Sequence, residues 1–210
     1  DTITLVDTNA INLGSIAADT LTVTAGANIT QSTATLIDTT TLVLTAADGF
    51  SIGGAGVGNS INANLLGTLD ASTGANSGDI YFNDNTGNLT LNSINAGTGN
   101  IELTSAGDIL QTSGNITSNI LSLITAGTNA TLNPIINALN LTGINTLTFT
   151  GGTIGQDNLS TANLNIDGNV IFSNGLSYNG ITTLDGSLTA TLGDIDLDST
   201  NVDGNSTLIA

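Results

Sequence analysis

The sequence predicts an all-β fold, a parallel β-helix (β-solenoid) of about ten coils of roughly 20 residues, as a single β-solenoid domain over residues 1–210. Three observations carry this. Short apolar segments recur at a nearly constant step, and the apolar period inside each segment is two. The composition supplies β-formers and turn-formers, with 36 Thr, 28 Asn and 26 Gly against one Glu and one Pro.

Taken in chain order, the segments begin at Ile3, Leu21, Leu42, Ile61, Ile80, Ile101, Leu121, Leu139, Leu164 and Leu184. All but one of the steps stay close to the mean, and the exception is the long step from Leu139 to Leu164. The stretch from Leu21 to Gln31 is echoed four steps later, from Ile101 to Gln111. The long step contains the run from Gly151 to Asp157, which reads as an irregular loop or bulge near 151–163. In Leu21-x-Val23, Leu42-x-Leu44, Ile80-x-Phe82, Leu89-x-Leu91 and Leu121-x-Leu123 the apolar side chains face inward. Thr22, Thr24, Glu102 and Thr104 then face outward. Gly, Asn, Asp and Ser between the segments tolerate the backbone of a corner.

A strand of so few residues cannot bury its apolar face alone, so each coil must lean on the coils above and below. Stacking at about 4.8 Å per coil makes ten coils a rod roughly 50 Å long. In-register Asn and Thr can then form ladders between coils. A sandwich or barrel would bring hairpin turns but no constant step.

The chain has 17 acidic side chains and no Lys, Arg, His, Cys, Met or Trp. Without cations it lacks the footprint for nucleic acid or anionic membrane surfaces. Without Cys or His it lacks zinc, haem and iron–sulfur ligation and thiol chemistry, and every triad that needs an imidazole. The expectation is no enzyme, no catalytic residues, no metal or cofactor-binding residues and no cofactor. No run approaches the roughly 18 apolar residues of a membrane helix, and the start at Asp1 shows no signal peptide. The chain reads as a processed product or a segment of something longer.

The phrase Leu21-Thr22-Val23-Thr24-Ala25-Gly26-Ala27-Asn28-Ile29-Thr30-Gln31, with related phrases at Leu42, Ile101 and Leu121, resembles the repeat region of filamentous haemagglutinin-like (two-partner-secretion type) bacterial surface adhesins. The likeness covers residues 1–130 well and the rest loosely. It implies a right-handed parallel β-helix and a place in the shaft of a long surface or secreted fibre. That family's secretion motif of Asn-Pro-Asn-Gly type is absent, since Asn133-Pro134-Ile135-Ile136 lacks the Gly and stands mid-chain.

Four features invite a functional reading. Asp194-Ile195-Asp196-Leu197-Asp198 places three carboxylates on one strand face, where oxygen ligands could hold calcium weakly or form a hydrolytic pair. A solvated face is the simpler reading, because EF-hand and calcium β-roll motifs are absent. Thr-x-Thr occurs at Thr2/Thr4, Thr20/Thr22/Thr24, Thr33/Thr35, Thr39/Thr41, Thr146/Thr148/Thr150 and Thr189/Thr191, in the manner of ice-binding solenoids. These rows do not recur at one phase in every coil, as a flat array would require, so ordinary β propensity is the simpler account. The seven Asn-x-Ser/Thr sequons (Asn28, Asn88, Asn115, Asn129, Asn140, Asn158, Asn205) match chance for this composition. Gly53–Gly58 has neither the Lys nor the helix of a phosphate loop and reads as a turn.

The expected function is a structural or adhesive segment of an extracellular bacterial surface fibre. The alternative is ice binding through outward Thr-x-Thr rows, and a poorer third is a carbohydrate-active β-helix. Expected partners are its own kind, by head-to-tail stacking or continuation in a longer chain, with cell-surface glycans or other surface proteins. Strand-like segments at Thr2–Leu5 and Ser206–Ala210 motivate the expectation of continuation.

Overall fold

The computed structural model describes residues 1–56, 58–155, 159, 161, 163–202 and 207–209, with the backbone alone of 198–202. The described residues form strands and turns without a helix. Every strand pairing among them is parallel. Each strand pairs with the one a full turn earlier, which makes the chain a β-solenoid.

One column of paired residues runs through the whole rod: Thr2, Thr20, Thr41, Thr68, Thr90, Leu110, Thr131, Thr148, Asn165, Thr183 and Asn201. Eleven levels mean ten turns. The third turn, Thr41 to Thr68, is the longest, and the four turns from Thr131 to Asn201 are all short. The coils are therefore less uniform than a constant step suggests.

The departures have one cause: the segments that look alike in sequence lie on different faces. Leu42 pairs with Leu69, not Ile61, and Ile61 pairs with Phe82. Leu139 stacks on Leu121, whereas Leu164 stacks on Leu147. The long step between Leu139 and Leu164 is thus a change of face. Thr148 and Asn165, truly equivalent, bound one of the shortest turns, and Ile154 stands in register between Ile136 and Phe172. Residues 156–158, 160 and 162 of the 151–163 stretch lie outside the described residues. The surplus length belongs to the third coil, whose loop after Ile52 includes Gly53–Ser60. One turn later a single strand, Ile80–Asp84, spans both columns directly, Ile80 beside Ile52 and Phe82 beside Ile61.

Alternation sets the interior. In Ile101–Ser105 the residues Ile101, Leu103 and Ser105 are buried, while Glu102 and Thr104 are not, as the period of two requires. Ile3, Leu21, Leu42, Leu69 and Leu91 form one inward column, and Ile29, Ile52, Ile80, Ile101, Leu121 and Leu139 another. Phe149 and Phe172 meet edge to face, with centroids 6.2 Å apart, and widen the core of the short coils. Tight stacking dictates the corner residues. A Cβ on Gly107 would lie 2.4 Å from the Gly87 carbonyl oxygen one coil away, so only glycine fits there.

Candidate functional site: ladders, corners and an acidic edge

The Thr column described above is outward-facing, because each of its Thr residues precedes an inward residue such as Leu21, Leu42 or Leu69. Thr holds eight of its eleven levels, so a single Thr column runs most of the rod but is broken at Leu110, Asn165 and Asn201 and does not recur in every coil. Counting along the chain missed it because the turns are unequal, as Thr131 to Thr148 against Thr41 to Thr68 shows. Beside it, Thr4, Thr22, Val43 and Asp70 form a second column. Asp167 and Asp185 stand two residues past Asn165 and Thr183. The first three coils, and again the level of Thr146, Thr148 and Thr150, carry hydroxyls and methyls in adjacent columns without a carboxylate among them.

Amide ladders bind coils on several faces, the Thr column among them. Asn137 donates through Nδ2 to Asn119 Oδ1 at 3.1 Å, and Asn119 donates to Asn100 Oδ1 at 3.2 Å. Asn83 donates likewise to Asn62 at 2.9 Å, and Asn165 to the Thr148 hydroxyl at 3.2 Å. Each bond links neighbouring coils, so the polar surface is itself a set of fasteners.

Many of the carboxylates have the same work. Asp108 Oδ1 accepts from the backbone N–H groups of Thr128 and Asn129 in the next coil, at 2.8 and 2.9 Å, and Oδ2 accepts from Asn129 Nδ2 at 3.0 Å. These bonds, the Asn129 side chain first, hold its pKa below the ordinary value. Asp48 accepts from the N–H groups of Asn76 and Ala75 at 2.8 Å each, and its pKa is lowered, chiefly by the Asn76 backbone bond. Asp79 and Asp70 receive Asn100 and Ser93 N–H groups in the same manner. Asp84 is different. It is buried; its Oδ1 accepts from the Leu65 and Thr86 N–H groups, and its Oδ2 has no partner. Burial pushes its pKa up.

The Asp194–Asp198 cluster lies on a strand edge as the alternation requires. Ile195 and Leu197 pack against the core beside Leu176 and Tyr178, while Asp194 and Asp196 are exposed. The side chain of Asp198 lies outside the described residues. Among the described residues no three His, Cys, Asp or Glu side chains are grouped closely enough to hold a metal ion. Gly53–Gly58 is a turn closed on itself, with Gly54 N–H donating to Asn59 O and Asn59 N–H to Gly56 O, both at 2.9 Å; Val57 lies outside the described residues. Pro134 is the first residue of a strand stacked on Ile116. Of the sequon asparagines, Asn28, Asn88, Asn129 and Asn140 spend their side chains on inter-coil bonds. Asn115 is exposed, and Asn158 and Asn205 lie outside the described residues. An open groove lined by Asp19, Asp38, Thr40, Asn64, Leu66 and Thr86 runs along one corner, where an extra residue opposite Thr39–Thr41 pushes Leu66 into solvent.

Fold and surface together define a parallel β-solenoid in which many polar side chains fasten one coil to the next. No family model matches the sequence, and no curated protein or solved structure matches it either.

Proposed function

We infer that the chain is a structural segment of an extracellular bacterial surface fibre, a non-catalytic shaft of the filamentous haemagglutinin-like type. The observation that carries this reading is the destination of the polar side chains. The Asn ladders and the corner carboxylates Asp48, Asp70, Asp79 and Asp108 reach from one coil to the next. A surface spent on axial cohesion suits a load-bearing rod. In this reading the rod extends by continuation of the polypeptide or by head-to-tail stacking, and its outward residues meet surface glycans or other surface proteins. Electron microscopy of the native material tests the shaft: rods advancing about 4.8 Å per coil, roughly 50 Å for these ten turns, support it, and compact particles overturn it. Denaturing electrophoresis separates the routes, since a band near 20.9 kDa means stacking and a very large species means one long chain.

The Thr column supports a second reading, ice binding by the first three coils through Thr2/Thr4, Thr20/Thr22/Thr24 and Thr41/Thr45. Its test is freezing hysteresis in dilute solution. Activity abolished by Thr22→Lys would favour it, and absence of hysteresis would remove it.

A further inference from the structure

On one face of the last six levels, the central outward residue reads Thr117, Ile135, Thr153, Ile171, Thr189 and Ile209, each paired with the next. Ile135, Ile171 and Ile209 are 47%, 37% and 50% exposed, so three β-branched hydrocarbons alternate with three hydroxyls along the rod. The outward positions on either side are Asn, Ser, Thr and Gly. No carboxylate occurs in 115–119, 133–137, 151–155, 169–173, 187–191 or 207–209, although the chain carries 17 of them. A strongly acidic molecule thus keeps one flat face free of charge.

We propose that this face pairs with the same face of a second copy, the two rods lying side by side and antiparallel. The alternation itself points to the partner. A two-fold axis in the interface, parallel to the strands and passing between Thr153 and Ile171, reverses the order of the six levels. It sets Thr117 against the partner's Ile209, Ile135 against the partner's Thr189, and Thr153 against the partner's Ile171. Every protruding Ile then meets a shorter Thr, in both directions, which is the self-complementarity an isologous contact requires. Parallel rods at equal height would instead set Ile on Ile and leave gaps between facing Thr residues. Charge selects the face as well. Two copies of a chain with net charge −17 repel each other overall, and on this face they meet without burying a carboxylate. Five spacings of about 4.8 Å and a face roughly 20 Å wide give about 500 Å² per copy, the size of a weak, reversible contact. Along a longer fibre the contact would repeat and gain by multivalency.

Sedimentation velocity of the whole chain in moderate salt should show a concentration-dependent shift from 20.9 kDa to twice that mass. Ile171→Asp places two carboxylates beside the axis and should weaken association at least tenfold with an unchanged thermal melt. Thr104→Asp, on a different face, should leave association unchanged. Orientation is read by oxidation: Ile135→Cys mixed with Thr189→Cys should cross-link, and Ile135→Cys alone should not. A chain that stays monomeric at millimolar concentration, an Ile171→Asp variant that associates like the parent, or self-cross-linking of Ile135→Cys would each overturn the proposal. So would a monomer whose freezing hysteresis Ile171→Asp abolishes, which would assign the face to ice.

Discussion

Leu103 and Thr104 are neighbours with opposite fates, the first fully buried and the second on the outer surface. Leu103→Asp would set a carboxylate among Phe82 and Leu123, its partners one coil away on either side. Nothing there can pair with it, so the variant should lose more than roughly 4 kcal/mol and melt at least its own and adjacent coils. Thr104→Lys should stay within about 0.5 kcal/mol of the parent. Superimposable melting curves for the two would show that the inside and outside have been exchanged. Asp84 gives the second prediction. Its folded pKa is raised by burial above the ordinary 3.8, so the stability it lends is whole below that value and is lost as pH rises through the folded pKa. Asp48 and Asp108 have lowered folded pKa values, and theirs is present above the ordinary value and lost as pH falls. Asp84→Asn keeps an acceptor for the Leu65 and Thr86 N–H groups and removes the titration. Near pH 7 it should be more stable than the parent by about 1 kcal/mol, and near pH 3 no more stable. Melts at the two pH values decide it, and an equal difference at both would refute the assignment.

Strands and corners were legible in the sequence; their stacking was not. Period-two alternation located Leu21-x-Val23, Ile80-x-Phe82 and Leu121-x-Leu123, and all six residues are buried. The face each strand occupies depends on how much chain the preceding corners consume, and local alternation carries no record of that length. Leu21 and Ile101 begin nearly identical phrases, yet Leu21 stacks between Ile3 and Leu42 while Ile101 stacks between Ile80 and Leu121. The phrase encodes strand, corner, strand, and it serves on any face. The same uncertainty hid the Thr column and the Thr–Ile face, which exist only once register is known. The third coil offers a test of this view. Its loop adds residues between Ile52 and Ile61 that the fourth coil replaces by Tyr81 alone, between Ile80 and Phe82. Deleting Gly54 through Ser60 leaves Ile52-Gly53-Ile61 and makes the third coil as long as the fifth, Thr90 to Leu110. The shortened chain should fold with a loss of at most about 2 kcal/mol, because loop length itself changes closure entropy little. Circular dichroism showing loss of the β signal would mean that the loop, with the Gln31–Asn62 bonds beside it, is needed to close the coil.

At the scale of the whole molecule the balance between repulsion and contact is set by where the charge lies. Seventeen carboxylates spread over roughly 50 Å of rod give a field with no internal counter-charge beyond the chain's own terminus. At low ionic strength that field should hold rods apart. Added sodium chloride shortens the Debye length to about 10 Å at 0.1 M, comparable to the spacing of two packed sheets, and so should permit side-by-side contact. Calcium adds a second effect, since it can bridge carboxylates on different rods, with the exposed Asp194 and Asp196 among the candidates. Light scattering at fixed protein concentration should therefore rise with sodium and rise more steeply with calcium at equal ionic strength. The two contributions separate in the Ile171→Asp variant, because bridging needs carboxylates and close packing needs a face without them. The sodium response should largely vanish there, and the calcium response should survive. If scattering stays flat with both ions, the acidic surface has no part in bundling. If the variant instead loses the calcium response and keeps the sodium response, the carboxylates and the Thr–Ile face have been given each other's roles.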